Sequence, residues 1–146
     1  MSRKPIETYH AILGDLKQHE IQNLETPAAA DITKPETLVE PIGDADVVVS
    51  LVGIMHGSME DFERIQWRGA ENIAKAAQKA RAKLIHVSAI GADAASKVPY
   101  EITKALGEDA VLSQCHDATI LRPSLLFGPG DNFFAVSAFN NTSVPL

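Results

Sequence analysis

A single cysteine, Cys115, leaves the chain unable to form an internal disulfide. Its place in a helical stretch reads as a small buried or half-buried thiol, which fits a reducing compartment. No run of about 18 apolar residues occurs, so no transmembrane segment is expected. Basic residues are outnumbered, 13 against 19 acidic, for a net charge of −6, and aromatics make up only 5%. No window gathers cations with aromatic rings as a nucleic-acid groove requires, so no nucleic acid is expected as a partner. The five histidines are scattered without His-x-x-x-His or His/Cys spacing, so no metal site is expected. The N-terminal MSRKPIETYH lacks the apolar segment and small-residue cleavage site of a secretory signal, and no targeting signal is visible.

What remains is globular in character, with 45% hydrophobic and 22% charged residues. A chain of 146 residues is about one domain long and would bury roughly two-thirds of its unfolded surface. A single domain over 1–146 is expected, poorly defined over 1–28 and irregular over 130–146.

From residue 45 onward short apolar runs alternate with longer helical stretches, the pattern of βαβ units in a parallel sheet. Residues 45–52 (ADVVVSLV) are β-branched and apolar on both faces, as a strand covered by helices on each side would be. Phe62, Ile65, Gly69, Ile73, Ala77 and Ala80 recur at helical spacing and predict an amphipathic helix of about five turns. Residues 83–87 (KLIHV) predict the next strand, 99–114 a second helix, and 118–121 (ATIL) another strand ending at Arg122-Pro123. Earlier, Ile12, Leu13, Leu16, Ile21 and Leu24 suggest a short helix, 27–32 (PAAADI) a short strand, and 37–42 a helical turn interrupted by Pro41.

Tyr100-x-x-x-Lys104 carries a definite chemistry. Four residues bring both side chains onto one helical face, where an ammonium can depress a phenol's pKa. The same spacing is also common in plain solvated pairs. Ser88 ends a predicted parallel strand, and ligands bind beyond the carboxyl ends of such strands. His86, inside that strand, reads as a core or crevice histidine with a satisfied ring nitrogen. Trp67 reads as packing at a helix shoulder, and Glu101 and Glu108 as exposed helix charges.

In order, DADVVVSLVGI, GAENIAKAA with Asn72, HVSAIGAD, YEITKALGE and ATILRPSLLFGPGDNFF resemble the extended and atypical short-chain dehydrogenase/reductases. Within that superfamily they look most like the NAD(P)H-binding accessory subunit of respiratory complex I and its epimerase/dehydratase relatives, over about residues 29 to 136. The resemblance implies an α/β, Rossmann-like, doubly wound parallel sheet binding NAD or NADP. It implies Tyr100 as general acid/base, Lys104 as its electrostatic partner and ribose ligand, and Ser88 either in catalysis or simply capping the loop or touching the nicotinamide. It places Leu51, Val52 and Gly53 against adenosine and phosphates. Asp31 and Ile32 fall at the adenine, although an isolated Asp after a short strand is more often a helix or turn cap. Pro123 and Ser124, with Leu125 beside them, would border the nicotinamide.

Such proteins begin with a strand and a glycine-rich turn that holds the pyrophosphate, and no Gly-x-x-Gly-x-x-Gly precedes residue 45. The expectation is an incomplete sheet, truncated at both ends, without the first strand, that turn, or the C-terminal substrate lobe. It would leave the 45–52 strand with a bare apolar edge. Three readings follow: a complex I type accessory protein with little turnover, an NAD(P)-dependent epimerase, dehydratase or reductase, or a truncated paralogue without cofactor. The first would lie on the matrix side of the inner mitochondrial membrane in a eukaryote and in the cytoplasm of a bacterium.

Overall fold

The structure, a computed structural model, describes residues 24–126 and, nearer the N-terminus, Lys4, Ile6, Glu7, Tyr9, His10 and Leu13. The helix expected over residues 12–24 and the irregular tail beyond 126 lie outside the described residues, apart from Leu13 and Leu24.

A 3₁₀ turn, Pro35–Leu38, runs into the short helix α1, Val39–Ile42. Pro41 falls within the first turn of α1, where a missing N–H costs nothing. Strand β1, Val47–Ser50, is followed by a continuous helical rod in three parts: α2 (Met59–Phe62), a π-helical stretch (Glu63–Trp67) and α3 (Arg68–Ala80). Ser58 caps this rod, its Oγ accepting from the Asp61 N–H while the Asp61 carboxylate accepts from the Ser58 N–H. Strand β2 is Lys83–Val87, helix α4 is Pro99–Gln114 and strand β3 is Thr119–Leu121.

The three strands form one parallel sheet in the order β1-β2-β3. The chain steps across the sheet in one direction. Right-handed crossovers therefore put both long helices on the same face. On that face Val48 and Leu84 meet Ala70, Ile73, Ala74 and Ala77 of α3 and Val111 of α4, with Leu38 and Ile42 closing the edge. Fully burying each large aliphatic side chain here contributes about 1.5–3 kcal/mol before chain entropy is counted. On the other face Val47 and Val49 are about half exposed. The expectation that β1 is covered on both sides thus gives way to one-sided burial among the described residues. Residues 27–32 also differ from expectation, with a single bridge residue at Ala29 in place of a strand. Cys115 is buried just past the end of α4, its Sγ 3.3 Å from the Ala74 carbonyl. Trp67 lies half-buried at the rod's shoulder under the Arg68 guanidinium, 3.8 Å from the ring centre.

Helix α4 meets the rod at its π-helical stretch with no side chain between them, because Gly107 faces the Gln66 carbonyl. A Cβ there would stand 2.5 Å from that oxygen. Alanine would gain up to about 1 kcal/mol in helix propensity, but forcing two backbones apart in a packed core costs about 1–3 kcal/mol. Gly107→Ala is expected to destabilise the protein in urea unfolding; an unchanged or raised midpoint would show that the helices do not meet there.

Candidate functional site

The carboxyl ends of the three strands open onto a crevice of about 470 Å³. Each strand's continuation supplies a wall: Leu51 and Gly53 after β1, Ser88 to Gly91 after β2, and Pro123 to Leu126 after β3. The walls are tied together, since the Ser88 N–H donates to the Leu121 carbonyl at 2.7 Å and the Ile90 N–H to Pro123 at 3.0 Å. Tyr100 and Lys104, one turn apart on α4, complete the lining. A second hollow of about 430 Å³ holds Asp31, Ile32 and Val52 and shares Leu51, Gly53 and Ile54 with the first. All ten residues expected at the site therefore line one or other of two adjoining hollows.

Their states refine the expectation. Lys104 is 5% exposed, with its Nζ donating to the Val87 carbonyl at 3.2 Å and lying 5.9 Å from the Tyr100 ring centre. Burial pulls the Lys104 pKa down, opposed by Glu108. Burial also pushes the Tyr100 phenol up. The expected depression of that phenol is thus not what the structure shows, because the ammonium is turned toward a backbone carbonyl and burial dominates. Tyr100 is held edge-to-face against Phe62, the ring centres 6.3 Å apart. Ser88 is buried, and its Oγ has no partner of regular hydrogen-bond geometry although it lies near Glu108. Asp31 Oδ1 accepts from the N–H and hydroxyl of Thr33 at 2.9 and 2.8 Å, the local turn that its sequence context allowed. Asn72 donates to the Ile32 carbonyl at 2.9 Å and so fixes that turn against α3.

Gln66, which sequence reasoning passed over, also lines the crevice. The π-helical stretch widens the turn so that Ile65 and Gln66 both face inward. Its Nε2 donates to Thr103 Oγ1 at 3.0 Å, and its buried Oε1 has no partner. A Cβ on Gly53 would stand 3.3 Å from both this oxygen and Lys104 Nζ, so the Gly53 backbone comes close to both groups only because it bears no side chain. A polar residue within the apolar stripe Phe62, Ala70, Ile73, Ala77 was the available signal.

Two charges read as exposed are not. The Glu101 carboxylate accepts from Ser96 Oγ at 2.5 Å and steadies the loop before α4. Glu108 is 5% exposed and gripped by Arg122, with Nη2 to Oε2 at 2.6 Å and Nε to Oε1 at 2.9 Å. Burial works against its ionisation, yet the Arg122 bonds hold its pKa below the usual carboxylate range.

A model of the family described as NAD(P)H-binding matches residues 13–138. The chain belongs to that family. NAD or NADP is the cofactor class of the family. Curated relatives include a ceramide reductase of Caulobacter vibrioides, 35% identical over 69% of this chain and 32% of the relative. The mitochondrial 40 kDa subunit of the Neurospora crassa NADH-ubiquinone oxidoreductase is 36% identical over 67% of this chain and 27% of the relative. The chain thus spans about a third or less of the length of these relatives. Among solved structures, a dTDP-4-dehydrorhamnose reductase from Bacillus anthracis in complex with NADP superposes with a TM-score of 0.68 at 20% identity, covering 76% of this chain and 47% of that one. A Citrobacter triphenylmethane reductase complexed with NADP(H) gives 0.63 at 21% identity, covering 85% and 39%. These likenesses establish the Rossmann-like fold.

A dinucleotide fits the residues present. Two adjoining hollows meet over a glycine, and one contains an ammonium with the orphaned polar atoms of Gln66 and Ser88. Tyr100, Lys104 and Gln66 would hold the nicotinamide end and the 30–33 turn the adenine end. The described residues supply no glycine-rich pyrophosphate turn.

His86 is buried in β2 with one ring nitrogen partnered, as expected, and the other without a partner. Its Nδ1 is 3.4 Å from Ser50 Oγ, and its buried Nε2 has no partner. Burial, reinforced by Lys104, lowers its pKa from 6.5 to about 4. The unfolded chain therefore binds the extra proton, so the neutral ring's stability is fully present above pH 6.5 and lost as pH falls toward 4. The loss between pH 7 and pH 5 is about 2 kcal/mol. In urea titrations His86→Leu is expected to flatten that dependence; an unchanged slope would place the titration elsewhere.

Proposed function

We propose that this chain binds NAD(P) across the two hollows as a protein of the complex I accessory-subunit type, retaining the dinucleotide for structure or assembly with little turnover. The observation that carries the reading is the convergence of Tyr100, Lys104, Gln66 and Ser124 on one crevice beyond the ends of three parallel strands. Lys104 would donate to ribose hydroxyls, and Pro123 and Ser124 would border the nicotinamide. Low turnover is supported by two features. The Tyr100 phenol is moved away from the pKa that a general base near neutrality needs. The Ser88 hydroxyl lies buried beside Glu108. Likeness to the Neurospora subunit supports a place among the subunits of a respiratory complex, on the matrix side of the inner mitochondrial membrane in a eukaryote.

An NAD(P)-dependent reductase or epimerase is the second reading, favoured by the presence of both Tyr100 and Lys104 and by likeness to the Caulobacter enzyme. Titration with NADPH by calorimetry or nucleotide fluorescence is expected to give micromolar affinity. Lys104→Ala would weaken it roughly 10- to 100-fold, the worth of a charge-assisted hydrogen bond, while Tyr100→Phe changes it less. No binding by the wild-type chain would support the cofactor-free reading. Turnover of nucleotide sugars or small ketones that disappears in Tyr100→Phe would replace the accessory reading with the enzymatic one.

A further inference from the structure

Lys104 lies in a difficult place for a cation. It is almost wholly buried, and one backbone carbonyl is its sole hydrogen-bond partner among the described residues. The crevice lining adds no other charged side chain. The ionisable groups around it are Tyr100 and Glu108 on its own helix, His86 on β2 and Arg122 after β3. The π-helical stretch and the loop after β1 contribute Gln66 and Gly53 to the crevice and nothing ionisable. Of these neighbours Glu108 alone carries negative charge near neutrality.

Glu108 is four residues beyond Lys104, so the two share one face of α4 with Cβ atoms about 5–6 Å apart. Its carboxylate is not bonded to the ammonium. It is held by Arg122, both of whose bonding nitrogens reach it within 2.9 Å. Arg122 also leads directly into Pro123 and Ser124 of the crevice wall. One buried carboxylate thus stands between the helix that bears Lys104 and the wall it faces.

We infer that Glu108 is a positioning residue, the counter-charge that keeps the Lys104 ammonium in place beneath the crevice, its carboxylate shared with Arg122. The inference rests on the dinucleotide reading for its purpose but not for its test. Removing the charge at Glu108 leaves burial unopposed at Lys104. Removing Arg122 does the reverse, because the carboxylate stays and a competing cation goes. A role limited to packing would loosen the structure in both variants and shift Lys104 the same way in each.

The experiment is an NMR titration of the full chain with carbon-13-labelled lysine, the Lys104 Cε signal being assigned by its absence in Lys104→Arg. In Glu108→Gln the Lys104 midpoint is expected to move to lower pH, and in Arg122→Gln to higher pH. Shifts of the same sign, or no shift in Glu108→Gln, would overturn the inference. If Glu108→Gln does not fold, Arg122→Gln decides alone, since a downward shift there contradicts the counter-charge role. In parallel, NADPH affinity measured against pH should fall off at lower pH in Glu108→Gln than in wild type, with equal profiles counting against the inference. Failure of wild type to bind NADPH would remove the functional reading while the NMR result still decides the role of Glu108.

Discussion

The parallel register of β2 with its two neighbours is the constraint on which the rest depends. Ser50 pairs with His86, and Val87 with Leu121, so all three strands end within a residue or two of the same level. The loops that follow then lie side by side, and the Ser88 and Ile90 amides extend the pairing beyond the sheet to Leu121 and Pro123. Side chains alternate with a period of two along a strand, so a slip of one residue would turn Val48 and Leu84 out of the core and Val49 and Ile85 into it. It would also carry Ser88 away from the crevice floor. The site is a property of register before it is a property of any side chain.

The same topology explains where the molecule is finished and where it is open. Two successive right-handed crossovers stepping in one direction can cover only one face of a sheet. Gly107 lets the two helical layers meet closely there. On the other face half-exposed Val47, Val49 and Leu121 form an apolar strip without a cover among the described residues.

What could be read from residues alone follows this division. Strand β2 and helix α4 were legible to the residue, because apolar runs bounded by polar breaks and a proline at a helix start are local signals. The Tyr100 and Lys104 pair was legible from helical spacing, and Leu51, Gly53 and Pro123 came only from the family resemblance; the crevice brings all five together. Gln66 was not, since a π-helical stretch shifts the phase of a helix and no period anticipates it. Glu108 and Arg122 were misread or passed over for a related reason. A charge on a helix is normally solvated, and its burial here depends on a partner 14 residues away, after the next strand.

The helix itself sharpens the electrostatics. Tyr100 is the second residue of the 16-residue helix α4, in the first turn, where the backbone dipole presents its positive end. That end favours a phenolate and disfavours an ammonium. Burial opposes charge on both groups and outweighs the dipole at Tyr100, whose phenol is pushed up. At Lys104, beyond the first turn, burial acts against the cation, and the Val87 carbonyl and the Glu108 field act for it. A lysine with so little support would be costly to keep without the Glu108 carboxylate, which the paired contacts from Arg122 keep from protonating. The clamp and the crevice therefore form one electrostatic unit, in which Lys104 is the charged side chain of the crevice lining and Glu108 and Arg122 lie outside that lining.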